Sequence, residues 1–199
     1  AVRQVGDTQV RNRGTLGGNL AHADPASDLP GAALASDASI VVTGPDGERR
    51  VSADDFFFGM YATDIGPSEL VTAVEVPSAA DAVGAYAKKP SPSSGYAMVG
   101  VCVQAIVDGG TVTTVRVGAN GVMDHGVRLE GVEDELAGES LDEDTIDAAA
   151  DRASEGLDTA MMMSDLQASA EFREQLVGTY TKRALERVLD RTATPAAAD

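Results

Sequence analysis

The residues whose types and spacing could do chemistry are concentrated in one stretch of this 199-residue chain. It reads Arg11-Asn12-Arg13-Gly14-Thr15-Leu16-Gly17-Gly18-Asn19-Leu20-Ala21-His22-Ala23-Asp24-Pro25-Ala26-Ser27-Asp28-Leu29-Pro30. Within it, Thr15, Leu16, Gly17, Gly18 and Asn19 have the parts of an anion cradle. Adjacent glycines let backbone N–H groups approach a ligand without Cβ hindrance, and they permit left-handed dihedrals. Thr15 adds a hydroxyl, and Asn19 adds an amide that can bond a phosphate or pin the loop. Arg11 and Arg13 raise the local potential. Taken alone, a double glycine also suits a plain tight turn. Neither a Walker loop nor a dinucleotide fingerprint is present, because Gly-Lys-Ser/Thr and G-x-G-x-x-G are both missing.

The other chemistry-capable residues have simpler readings. His22 and His125 lie far apart with no ligand spacing, so no metal site is expected. Cys102 sits on an apolar strand as a small hydrophobe. Met161-Met162-Met163 fills a core gap. Asp28 suits either a ligand role or the cap of a helix starting at Leu29. Lys88 beside Lys89 suits a solvated pair, and Glu130, Glu133, Asp134 and Glu135 suit a solvated turn or face.

The elements that must position these groups follow from periodicity. Residues 1–30 are rich in Gly, Asn, Asp and Pro and read mostly as loop. Ser39–Thr43 and Glu48–Ser52 flank Gly44-Pro45-Asp46-Gly47 as a hairpin, with Phe56-Phe57-Phe58 anchoring it in a core. Glu69–Val76 reads as a strand ended by Pro77, and residues 78–83 as a linker. Tyr96–Val107 alternates at period two, with Ala97, Val99, Val101, Val103, Ala105 and Val107 on one face and both faces covered. Thr111–Gly118 pairs with it across Asp108-Gly109-Gly110. A helix is expected from a capping box at Ser140-Leu141-Asp142-Glu143 to about Glu155, and another from Ser169 to Arg191. The second carries Phe172, Leu176, Tyr180, Ala184 and Val188 as its apolar stripe, with Arg173 outside it. The fold class is α+β: a partial α/β subdomain with antiparallel strands, then a C-terminal three-stranded antiparallel sheet packed with helices. Domain bounds of 1–77 and 84–191 follow, with a frayed tail at 192–199.

Composition bounds the function classes. The net charge is −17, yet Arg3, Arg11, Arg13, Arg49 and Arg50 nearly balance the acids of the first fifty residues. Such acidity argues against binding nucleic acid or anionic membranes through the whole chain. Abundant acids with only Lys88, Lys89 and Lys182 as lysines fit adaptation to a salty cytosol. One cysteine excludes a disulfide scaffold, and no segment reads as a membrane span or secretion signal, so a cytoplasmic protein is expected.

Taken whole, Arg11–Pro30 closely resembles the second flavin-binding motif in the FAD subunits of molybdenum hydroxylases, the family of the carbon monoxide dehydrogenase medium subunit and the xanthine dehydrogenase flavin domain. Phe56-Phe57-Phe58-Gly59, Glu69-Leu70-Val71 through Val74-Glu75-Val76-Pro77, Tyr86-Ala87-Lys88 and Tyr96-Ala97-Met98-Val99 follow in the family's order. Phe172-Arg173 and Arg183-Ala184-Leu185 resemble its closing helix.

This resemblance implies an FAD-binding electron-transfer subunit. Thr15, Leu16, Gly17, Gly18 and Asn19 would hold the pyrophosphate, and Asp28 would accept from a flavin-chain or ribose hydroxyl. Val71 would line the isoalloxazine through its backbone, Lys88 would lie near the flavin ring, and Val5 would make a further contact. No residue here need be a catalytic acid or base. The implied partners are a molybdopterin-binding large subunit and an iron–sulfur small subunit bearing [2Fe-2S] clusters. The family's first flavin motif is missing, so the chain reads as N-terminally truncated. Ser91-Pro92-Ser93-Ser94-Gly95 also replaces the family's usual loop after Lys88. The alternative is a non-catalytic interaction module that no longer binds FAD.

Overall fold

Thr15 starts the helix that matters most. Its backbone is extended, and its hydroxyl accepts from the Gly18 amide at 3.1 Å, which converts the glycine-rich stretch into a helical first turn. The computed structural model describes residues 1–193 except Asp7 and Ala79. A 3₁₀ turn at Val2–Gln4 precedes α1 (Thr8–Arg13), α2 (Leu16–His22) and α3 (Leu29–Ala35). The expectation of loop through residues 1–30 is therefore corrected. The Thr15 cap and the buried Leu20 outweigh the poor helix propensity of Gly17 and Gly18.

The hairpin forms as expected. Strands β1 (Ser39–Gly44) and β2 (Gly47–Ser52) pair antiparallel around Pro45-Asp46, with Gly47 at φ +110°. After α4 (Ala53–Phe56) come β3 (Phe57–Gly59), β4 (Ala62–Thr63) and β5 (Leu70–Glu75), and β5 joins the far edge of β1. Phe56 and Phe57 are buried and meet edge to face, whereas Phe58 is exposed, so only two of the three phenylalanines anchor this core. Leu20, Leu29, Leu34, Ile40, Val42 and Phe56 belong to it.

A second sheet has the order β6 (Ala82–Pro90), β7 (Ala97–Asp108), β8 (Thr111–Asn120) and β9 (Val127–Arg128), all antiparallel. The two-residue β9 extends the three long strands. Strand β6 takes up the end of the expected 78–83 linker, and Ala79 of that segment lies outside the described residues. Helices α5 (Glu130–Leu136), α6 (Glu143–Asp151) and α7 (Ala170–Ala193) complete the chain. Val99, Val101, Val103, Val117 and Ala119 from the sheet share one core with Leu136, Ile146, Leu176, Ala184 and Val188 from these helices.

Three helical expectations are corrected. The cap of α6 is Asp142, which accepts from the Thr145 amide at 3.0 Å, rather than Ser140. The acidic run at 130–135 forms α5, and its Glu133 is buried because its carboxylate accepts from the Val117 amide and pairs with Arg128. Arg173 is buried rather than outside the stripe, donating to the carbonyls of Met98 and Gly121 and to Asp165. Conversely, Phe172 and Met161 are exposed, and Met162 alone of the three methionines is buried. Residues 194–199 of the expected tail lie outside the described residues.

The two parts meet because α3 lies against β7 and β8. A Cβ at Gly31 would come within 2.7 Å of Asn120 Oδ1, and one at Gly118 within 3.0 Å of Leu34 Cβ. Side chains at either glycine would wedge the helix off the sheet. Gly118→Val is expected to cost about 1–3 kcal/mol by overpacking, read as a fall in the midpoint of thermal unfolding.

Candidate functional site

The first turn of α2 leaves the amides of Leu16 and Gly17 without a partner inside the helix, as at any helix start. The helix dipole adds a partial positive charge there, so the turn is set to receive an anion. Gly18 has a steric reason to be glycine, whereas Gly17 faces β5 at ordinary contact distance. A Cβ at Gly18 would lie 2.8 Å from Thr15 Oγ1 and disturb the cap, and one at Gly17 would meet Val71 Cγ1 on β5 at 3.4 Å. Leu16 is exposed and Val71 half-buried, so the turn and the strand present adjoining surfaces.

Asn19 pins the segment after α2. Its Oδ1 accepts from Ser27 Oγ at 2.7 Å, drawing the Asp24–Asp28 segment back over α2 after Ala23 reverses the chain at φ +50°. Arg11 clasps the opposite wall, donating to the carbonyls of Val5 (2.7 Å) and Gly6 (3.2 Å). Between them lies a cavity of about 350 Å³ lined by Val5, Gly6, Val10, Asn19, Ser27, Asp28, the Ser93–Tyr96 loop and little else. His22 lies away from that lining, its ring 5.0 Å from that of Tyr61.

Asp28 and Lys88 are not the solvated or capping residues of the simpler readings. Asp28 precedes α3 but makes no side-chain cap bond. Its carboxylate is buried, with Oδ2 accepting from Lys88 Nζ at 2.9 Å and Oδ1 from the Tyr86 hydroxyl. Lys88, also buried, donates further to the carbonyls of Gln4 (2.6 Å) and Gly95 (2.9 Å), which uses all three of its protons. Burial raises the Asp28 pKa, and the bonds from Tyr86 and Lys88 oppose that rise. Burial and the neighbouring Asp28 charge push the Tyr86 phenol upward, so it remains a donor. Cys102 is half-covered, and burial pushes its thiol up to about 11, away from reactive thiolate chemistry.

The structure thus brings Asn19 and Asp28 to one cavity, sets Lys88 and Val5 against it, and packs Thr15–Gly18 on Val71 beside it. Three contributors escape sequence reasoning. Tyr86 stands two residues before Lys88 on the same strand face, and that period-two spacing is the available signal. Asn120 ends an apolar strand, where a buried amide calls for a partner. Tyr96, which lines the cavity, reads in the sequence as the start of a strand and of a segment resembling the family, with no site role. Among the described residues no cluster of His, Cys, Asp and Glu could hold a metal ion, and no helix is long and apolar enough to cross a membrane.

An amide-rich helix start, a buried hydroxyl-accepting carboxylate and a lined cavity between an α/β unit and a helix-backed antiparallel sheet define a cofactor-binding module for a phosphate-bearing ligand. The comparisons with known proteins narrow that class. Residues 1–79 match the family described as FAD binding domain in molybdopterin dehydrogenase, and residues 84–188 match the CO dehydrogenase flavoprotein C-terminal domain. The chain belongs to the FAD-binding medium-subunit family of the molybdenum hydroxylases.

It is 35% identical to the carbon monoxide dehydrogenase medium chain of Hydrogenophaga pseudoflava, over 97% of this chain and 67% of that one. It is 34% identical to the glyceraldehyde dehydrogenase medium chain of Sulfolobus acidocaldarius, over 94% of this chain and 66% of the other. The solved carbon monoxide dehydrogenase of Hydrogenophaga pseudoflava, which lacks the Mo-pyranopterin moiety, superposes with a TM-score of 0.87 at 35% identity, covering 95% of this chain and 65% of that one. Quinoline 2-oxidoreductase from Pseudomonas putida 86 gives a TM-score of 0.85 at 32% identity, covering 94% and 64%. The chain spans about two thirds of the length of these curated relatives.

Proposed function

We propose that this chain binds FAD and acts as the electron-transfer subunit of a cytoplasmic molybdenum hydroxylase. The observation that carries the reading is that Asn19 and Asp28 line one cavity, with the Thr15-capped turn running into it through Asn19, in a chain of this family. The residues present fit FAD. The turn offers amides without a helical partner where a pyrophosphate needs donors, and Asp28, which lines the cavity, supplies the acceptor a ribityl or ribose hydroxyl needs. When bound, FAD would supply the redox chemistry that links the molybdenum and [2Fe-2S] centres of partner subunits to a terminal acceptor.

The chain's own residues bind and orient. By capping the Gly18 amide, Thr15 fixes the turn in which the amides of Leu16 and Gly17 would face the pyrophosphate. Asn19 ties the turn to the Asp28 segment, and Arg11 holds the Val5–Gly6 wall. Val71 backs the turn. Lys88, with its protons committed to Asp28 and to the carbonyls of Gln4 and Gly95, fixes the Asp28 carboxylate and the cavity walls in place. The test is the flavin content of the complex purified with its partner subunits from the native host. About one FAD per copy of this chain is the expected result, and a complex active on its substrate but free of flavin would overturn the reading.

A further inference from the structure

The Asp28 carboxylate sits in a network that continues away from the cavity into the sheet. Tyr86 (β6), Gly100 (β7) and Asn120 (β8) lie on the face of the sheet that looks toward α3, with Lys88 opposite Gly100 and Gly100 opposite Asn120 in the strand registers. The Tyr86 hydroxyl donates to Asp28 Oδ1, and Asn120 Nδ2 lies 3.5 Å from that hydroxyl as its donor. Asn120 Oδ1 is buried without a partner. That arrangement uses the amide as a donor to Tyr86, which leaves the hydroxyl's own proton for Asp28. Space for the network is kept by glycine: a Cβ at Gly100 would lie 2.8 Å from Asn120 Nδ2, and one at Gly31 would lie 2.7 Å from Asn120 Oδ1.

We propose that Tyr86, backed by Asn120, is a positioning residue for the flavin: its hydroxyl holds the Asp28 carboxylate ionised and aligned as an acceptor for the cofactor's hydroxyls. The inference rests on the flavin reading above. A carboxylate has about four acceptor sites. Tyr86 and Lys88 occupy one on each oxygen, leaving the others to the cavity that Asp28 lines. Without the Tyr86 donor, burial acts less opposed and Asp28 takes up a proton at higher pH, so one oxygen becomes a donor and loses its match to a hydroxyl. Among the described residues, the titratable and charged groups that face Asp28 or Tyr86 include Lys88 on the strand of Tyr86, Tyr96 across the cavity, Cys102 on β7, Arg187 on α7 and the α-amino group of Ala1.

The experiment uses the complex with its partner subunits, stripped of flavin and titrated with FAD by flavin fluorescence from about pH 5 to pH 9. In the wild type, affinity falls on the acid side as Asp28 protonates. Tyr86→Phe is expected to weaken binding about tenfold near neutrality, the loss of one charge-assisted bond, and to move that acid limb to higher pH. Asp28→Asn is expected to remove the limb, and adding Tyr86→Phe to it should change little. Site-specific 3-fluorotyrosine at position 86 keeps the hydroxyl and makes it a stronger donor, so it should move the limb to lower pH even if Tyr86→Phe folds poorly.

A limb left unmoved by both Tyr86 changes, or losses that are equal at every pH and additive with Asp28→Asn, would overturn the inference while leaving the flavin reading intact. A wild-type complex that takes up no FAD would overturn both.

Discussion

Replacing Lys88 with methionine is expected to cost about 3–5 kcal/mol of folding stability at neutral pH, because it strands a carboxylate that has almost no access to water. The Lys88 and Asp28 side chains are only 3% and 4% exposed, so the pair cannot be treated as a surface ion pair worth a few tenths of that. Lys88 also joins the carbonyls of Gln4 and Gly95, so its loss unties two cavity walls at once. The pH dependence has a definite sign. The folded-state pKa of Asp28 is raised above its ordinary value, so the folded state holds the proton more tightly than the unfolded chain does. The stability associated with that proton is present below the ordinary carboxylate pKa and is lost as pH rises through the folded value. Removing Lys88 raises the folded value further, so the deficit of the variant should shrink as pH falls toward the carboxylate range. Thermal unfolding at about pH 5 and pH 8 reads this directly. A deficit that grows on acidification would contradict the buried pair.

Gly18→Val is the change expected to damage flavin binding most while leaving the fold largely in place. Its Cβ would stand 2.8 Å from Thr15 Oγ1, which forces the cap open and turns the amides of the first turn away. The stability cost of a lost cap is about 1 kcal/mol. The binding cost is larger, since a hydrogen bond to a charged group contributes about 1.5–3 kcal/mol, and losing one gives roughly tenfold to hundredfold weaker FAD binding. Thr15→Ser, which keeps a capping hydroxyl, should bind nearly as the wild type does. Flavin retention on gel filtration and titration of the stripped protein measure the difference.

Much of the fold was legible because it rests on short-range rules. Pro45-Asp46 between glycines specifies the β1–β2 hairpin, and alternation from Ala97 to Val107 specifies a strand covered on both faces. The stripe of α7 was visible for the same reason. The parts that were not legible depend on tertiary partners. Nothing local distinguishes Arg173 from the exposed arginines of α7, and its burial follows from the carbonyls of Met98 and Gly121 placed opposite by the sheet. Glu133 reads as one acid in a solvated run unless β8 supplies the Val117 amide. The Thr15 turn reads locally as a glycine-rich loop, and its glycines hid the helix that a cap and a buried Leu20 create. The Asp28–Lys88 pair joins residues 60 positions apart, so only the assembled sheet reveals that each answers the other.

The central claim is that the Thr15–Asn19 turn and the Asp28 cavity hold FAD, and amide hydrogen exchange of the complex with and without FAD tests it most directly. The account predicts that adding FAD slows exchange at Leu16 and Gly17, whose amides have no helical acceptor, and in the Ser93–Tyr96 loop that lines the cavity. FAD that binds while exchange at Leu16, Gly17 and Ser93–Tyr96 stays unchanged would contradict it.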